Sequence, residues 1–198
     1  MSQTILPFIL FALVSTLTPG GATTLATASG AQFGFRRSVP LLAGIAAGLA
    51  TLAAAAALGL AGLLLAAPAL ELAMKLAGSA YLLWLAWKIA RSGPPRQAEL
   101  ARPTSFAGGA GLLLLNPKGW AMTLGAAASF AMLASGPVQL ALLMGLVFGL
   151  ASAGSLTLWC LAGYLFARLL RQPWQWHVLN GVLGLLLAAS ILPIWLNV

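Results

Sequence analysis

The sequence predicts an all-α integral membrane protein of six transmembrane helices, arranged as two inverted three-helix repeats whose first and fourth helices are broken at the membrane midplane. Three observations lead there: a scarcity of charge, a succession of apolar stretches divided by breakers, and a matched pair of Pro-Gly interruptions. Of 198 residues, 61% are hydrophobic and only 6% are charged, against about 25% charged in an ordinary soluble domain. So few charges cannot cover a water-facing surface. Disorder is excluded by the same figures, since disordered chains are poor in apolar residues and rich in charge. A spanning helix needs about 20 apolar residues, which leaves room for six spans with short connections. A single transmembrane domain over residues 1–198 is expected.

Taken in order, apolar runs and breakers place the spans near residues 4–30, 38–66, 69–91, 105–132, 138–167 and 174–196. The first carries Thr18-Pro19-Gly20-Gly21 at its centre. The second carries Gly44 and Gly48, a spacing at which small residues let helices approach closely. Glu71 and Lys75 open the third, one turn apart and so side by side, with Tyr81, Trp84 and Trp87 beyond them. A polar link, residues 92–104, divides the chain into repeat one, residues 1–91, and repeat two, residues 105–198. The fourth span carries Asn116-Pro117-Lys118-Gly119, the fifth Gly145 and Gly149, and the sixth begins among Trp174, Trp176 and His177. The apolar N-terminal stretch lacks the basic start of a cleaved signal peptide, so it reads as a span.

Charge supports this parsing. Eight of the ten basic residues sit at alternate connections: Arg36 and Arg37, then Lys88, Arg91, Arg96 and Arg102, then Arg168 and Arg171. By the positive-inside rule these three connections face the cytoplasm, and both termini face the periplasm. The net charge of +8 therefore reflects orientation in a lipid bilayer and implies no nucleic acid.

Proline removes a backbone donor and crowds the preceding turn, while glycine adds freedom, so both central motifs break their helices. In hydrocarbon the released carbonyls need partners in protein or in a water-filled cavity. Pro19 and Pro117 stand at equivalent places in the two halves, and three spans per half give the second half the opposite orientation. Such paired discontinuous helices present free backbone groups to a small solute in secondary transporters. Thr18, Pro19, Gly20, Gly21, Asn116, Pro117 and Lys118 are the candidate substrate-binding residues. Lys118 lies about 18 Å into its span at 1.5 Å per residue, where a lysine costs about 3 kcal/mol. It requires a polar cavity, a carbonyl at the first break, or an anionic group such as a substrate carboxylate.

Other chemistry is scarce. Glu71 is the only carboxylate in any span and His177 the only imidazole, which makes them the candidates for proton coupling, although a Glu71–Lys75 pair and an interfacial His177 are the plainer readings. One cysteine, one histidine and two glutamates leave little for an enzyme or redox relay, and neither a metal nor a cofactor is expected. A passive channel and a non-transporting membrane subunit remain alternatives. A solvent-accessible cavity joining the breaks would argue against the latter.

The motifs also resemble a known family. Pro19-Gly20, followed by Gly30, Gly34, Arg36 and Gly44, is similar to the Pro-Gly-Pro element of the LysE/RhtB family of bacterial amino-acid exporters. Gly78-Ser79-Ala80-Tyr81-Leu82-Leu83-Trp84-Leu85-Ala86-Trp87-Lys88 is similar to its third-helix signature, and Asn116-Pro117-Lys118 through Phe130 to its fourth-helix motif. Phe33-Gly34-Phe35-Arg36, Leu85 to Ile89 and Leu161 to Arg171 look most like the cysteine and O-acetylserine exporter branch. The resemblance implies an inner-membrane secondary transporter that exports a small amino acid or close metabolite, driven by a proton gradient, as a monomer or homodimer. Relatives commonly follow Pro-Gly-Pro with two asparagines where this chain has Thr23 and Thr24, and have Pro and Gln where Ala128 and Ser129 stand. Substrate identity therefore does not carry over.

Overall fold

The structure, a computed structural model, describes residues 5–60, 68–91, 104–170, 172–189 and 191–192, and every regular element among them is helical. In chain order these are α1 (Ile5–Leu17), α2 (Gly21–Ala55) with a π-helical turn (Ala56–Leu60), α3 (Pro68–Ala90), α4 (Phe106–Leu114), α5 (Pro117–Ser129) with a 3-10 turn (Ala131–Leu133), α6 (Pro137–Leu169) and α7 (Pro173–Ala189). Proline opens α3, α5, α6 and α7, the position where its missing N–H costs nothing. Ser105 caps α4 by accepting from Gly108 N at 3.2 Å. Most of the expected link, residues 92–103, lies outside the described residues, as do residues 1–4 and 193–198.

Both central motifs interrupt their helices: residues 18–20 separate α1 from α2, and Leu115-Asn116 separates α4 from α5. Between the first two expected spans the structure departs from the sequence reading, which placed a connection near residues 31–37. Helix runs through that stretch except at Gly34, whose φ of 75° and ψ of 172° are not helical. In a continuous helix Ser29 and Ser38 would stand about 13.5 Å apart along the axis, yet their hydroxyls lie 2.7 Å from each other. The chain therefore folds back at Gly34, and Ser38 Oγ pins the turn by donating to Gly34 O at 2.8 Å. One glycine does the work of a loop because its conformation is closed to residues with a Cβ. Arg36 and Arg37 stand exposed just beyond the turn.

The main core gathers α1, both arms of α2, α4 and α6, with Phe8, Leu41, Ile45, Leu49, Leu113, Met144, Phe148 and Leu156 essentially inaccessible. Phe8 and Phe11 of α1 meet Phe130 and Phe148 at centroid distances of 5.3 to 6.5 Å. Close approach elsewhere depends on glycine. A Cβ on Gly30 would run into Cys160 O and one on Gly163 into Thr27 O, so the first arm of α2 and α6 meet backbone to backbone. Gly44 against Phe106 O and Gly109 against Leu41 O join the second arm to α4 in the same reciprocal way, and Gly145 and Gly149 face Ala50. The Gly-xxx-Gly pairs thus make contacts within the chain.

A second cluster, Leu82, Ala86 and Ile89 with Leu183, Leu187 and Ile191, binds α3 to α7. Gly21 lies beneath its edge, since a Cβ there would come within 2.9 Å of Leu82 Cδ2 and 3.2 Å of Leu187 Cδ1. Outward faces are apolar: Leu142, Leu146, Leu150, Leu158 and Leu165 along α6 are all more than half exposed, as a lipid-facing surface requires. The basic side chains ending α3 and α6 lie over aromatic rings one turn earlier, Arg91 over Trp87 at 4.7 Å and Arg168 over Tyr164 at 4.4 Å.

Candidate functional site

The two breaks meet. Lys118, in the first turn of α5, reaches across and donates from Nζ to Thr18 O at 2.6 Å, so the cation that the sequence left with three destinations lies, half-buried, on the carbonyl freed at the first break. Its stem passes over Gly20, where a Cβ would stand 3.1 Å from Lys118 Cδ. Asn116 caps α5, its Oδ1 accepting from Lys118 N at 3.1 Å, and is itself buried. At the start of α2, Thr23 Oγ1 accepts from Gly20 N at 2.8 Å and its hydroxyl donates to Gly20 O at 2.9 Å. Thr23 thus acts as a backbone clasp on the first break.

Between the breaks lies a cavity of about 30 Å³, lined among others by Thr16, Thr18, Gly20, Gly21, Asn116, Lys118 and Ser152. Its volume exceeds the roughly 10–15 Å³ that one water needs. A second cavity of about 10 Å³ continues past Gly21 and Asn116 toward Leu82. The structure therefore brings together five of the seven sequence-predicted binding residues. The two prolines shape the site from outside its lining: Pro19 is exposed in the first break and Pro117 is buried at the start of α5.

Sequence reasoning missed the contribution of α6. Ser155 Oγ donates to Thr16 O at 2.7 Å and Trp159 Nε1 to Leu17 O at 3.1 Å, while buried Ser152 lines the cavity. The signal was present as Ser152, Ser155 and Trp159 at helical spacing i, i+3, i+7 in an apolar helix. At the second break Trp120 Nε1 donates to Leu114 O at 2.7 Å, so each interruption has an indole on a freed carbonyl.

Of the proton-coupling candidates, only His177 has a described side chain. Glu71 and Lys75 are on α3, but their side chains fall outside the described residues. His177 is exposed on α7 and lines neither cavity.

Interrupted helices joined around a small cavity, in an apolar all-helical chain, have the architecture of a membrane translocator. Comparison with known proteins identifies which: the model of the family described as LysE type translocator matches residues 13–190, and the chain belongs to the LysE family. It is similar to proteins named cysteine/O-acetylserine efflux protein. The one from Escherichia coli strain K12 is 35% identical over 190 residues, 94% of this chain and 95% of the relative. That from Shigella flexneri is 35% identical over 91% of each chain. That from Klebsiella pneumoniae is 35% identical over 82% of this chain and 83% of the relative. No solved structure matches. The chain is therefore a membrane-embedded transporter and not an enzyme.

Proposed function

We propose that this protein is a secondary transporter of the bacterial inner membrane that exports a small amino acid or close metabolite by alternating access, coupled to the proton gradient. Cysteine and O-acetylserine, the solutes in the relatives' names, are the first candidates. The observation that carries the reading is the Lys118–Thr18 hydrogen bond, which ties one break to the other at the wall of a shared cavity. A cavity between the breaks also disfavours a subunit whose interruptions serve assembly alone.

Three contacts between equivalent places in the two halves support an inverted repeat: α3 against α7, the second arm of α2 against α6 through Ala50 and Gly145, and break against break. A two-fold axis in the membrane plane would produce this pairing, and rocking about such an axis alternates access in repeat transporters. Gly20, Gly21 and Asn116 would then hold the polar ends of the solute, with Lys118 on its carboxylate. Glu71 and His177 are the side chains offered for proton coupling.

Efflux of labelled O-acetylserine and cysteine, measured as uptake into inverted membrane vesicles, tests the reading. Wild-type protein is expected to give saturable transport that collapses when the proton gradient is dissipated, and Lys118→Ala to reduce it at least about tenfold, the loss of one charged hydrogen bond. Transport by Lys118→Ala at the wild-type rate would remove Lys118 from the mechanism. Unsaturable flux indifferent to the gradient would favour a channel.

A further inference from the structure

The last two carbonyls of α1 and the first one beyond it are each held by a side chain from another helix: Thr16 O by Ser155, Leu17 O by Trp159 and Thr18 O by Lys118. The first two donors are neutral, sit one turn apart on α6, and act as fixtures. The third is different in kind. It is an ammonium group, it comes from the other interrupted helix, and it sits at the end of a flexible stem that fills the space beside Gly20. The carbonyl end of a helix carries roughly half a negative charge. With Thr16 and Leu17 taken by neutral donors, Thr18 O is where that end receives a cation.

An α-amino acid carries the same ammonium group beside a carboxylate. Lys118 stands on the cavity wall with its stem beside Gly20, so it makes room for such a solute by rotation alone, without parting backbone from backbone. We propose that Thr18 O is the binding site for the substrate's ammonium, and that Lys118 and the substrate exchange there. The incoming ammonium takes the carbonyl while Lys118 swings to the incoming carboxylate. The inference rests on the amino-acid reading above and adds to it a second, oppositely charged subsite.

The exchange leaves no charge unpaired in apolar surroundings, which is the condition for it to be inexpensive. It also sets specificity. An amine without a carboxylate displaces Lys118 and gives it no partner, and an acid without an ammonium draws Lys118 away and leaves Thr18 O bare. Both are disfavoured by the loss of one charged hydrogen bond.

The test uses the full chain in lipid nanodiscs, as wild type and as Lys118→Met, with ligand-induced thermal shifts titrated by serine, serine methyl ester and N-acetylserine. Wild type is expected to respond to serine more strongly than to either blocked form. In Lys118→Met nothing competes for Thr18 O, so the methyl ester, an ammonium without a carboxylate, should bind on the order of tenfold tighter than to wild type. Serine and N-acetylserine should both bind more weakly. Lys118→Gln, uncharged and still polar, provides the same comparison if the methionine variant does not fold. Methyl-ester affinity that stays at the wild-type value in both variants overturns the exchange and leaves the amino-acid reading intact. A wild-type protein that responds neither to serine, to any other standard amino acid, nor to O-acetylserine overturns both.

Discussion

Ser155 shows at the scale of one residue how an interrupted helix survives in an apolar setting. Its hydroxyl is the partner of Thr16 O, and both residues are buried, so removing the donor strands a carbonyl where water cannot replace it. Ser155→Ala is expected to cost about 1–3 kcal/mol, visible as a lower midpoint in thermal unfolding of the detergent-purified protein. Trp159→Phe, which keeps a ring against the break but loses the donor to Leu17 O, should lower the midpoint less. An unchanged midpoint in Ser155→Ala would mean that the break is open to water. Lys118 was legible as a residue in need of a polar partner because its cost depends on depth alone. Which partner it takes was not, since Thr18 stands a hundred residues away and no local pattern links them.

Among the elements, α2 depends most on single glycines. Gly34 adopts φ 75° and ψ 172°, a region essentially closed to other residues, where substitution costs roughly 1–3 kcal/mol. Gly34→Ala should therefore destabilise the fold-back and lower efflux, with residues 29 and 38 driven apart. A cysteine pair placed at Ser29 and Ser38 should crosslink readily in the parent protein and poorly beside Gly34→Ala. Gly30 tests the contact between α2 and α6. Its alanine variant drives a methyl group into Cys160 O, an overpacking worth about 1–3 kcal/mol. Gly125→Ala, with nothing within 4 Å and a gain in helix propensity, should be neutral or slightly stabilising by the same thermal assay. Equal midpoints for the two variants would show that α2 and α6 separate at no cost. The sequence marked Gly44, Gly48, Gly145 and Gly149 as packing residues, which they are. It did not indicate whether they pack within one chain, because the spacing is the same for either use.

For the whole molecule, we propose an orientation from the arrangement of its charge, with the basic connections cytoplasmic and both termini periplasmic. Basic residues gather at the Gly34 turn and at the ends of α3 and α6, and the connections between carry none. A fluorescent reporter inserted at Gly93 is expected to fold, as only a cytoplasmic one does, and alkaline phosphatase fused to either terminus to be active, as only a periplasmic one is. The reverse pattern would invert the proposed topology and with it the direction of export.

Membrane residence and the sites of both helix interruptions were legible in the sequence alone, because each arises from the local chain: an apolar run removes itself from water, and a proline or glycine alters its own backbone. Only the tertiary structure decided that Gly34 folds α2 back on itself, that α6 supplies two of the three donors to the end of α1, and that Lys118 lies on Thr18 O. Those are choices among partners far apart in the chain. They are made by which backbones can approach closely and which freed carbonyl then finds a donor within reach.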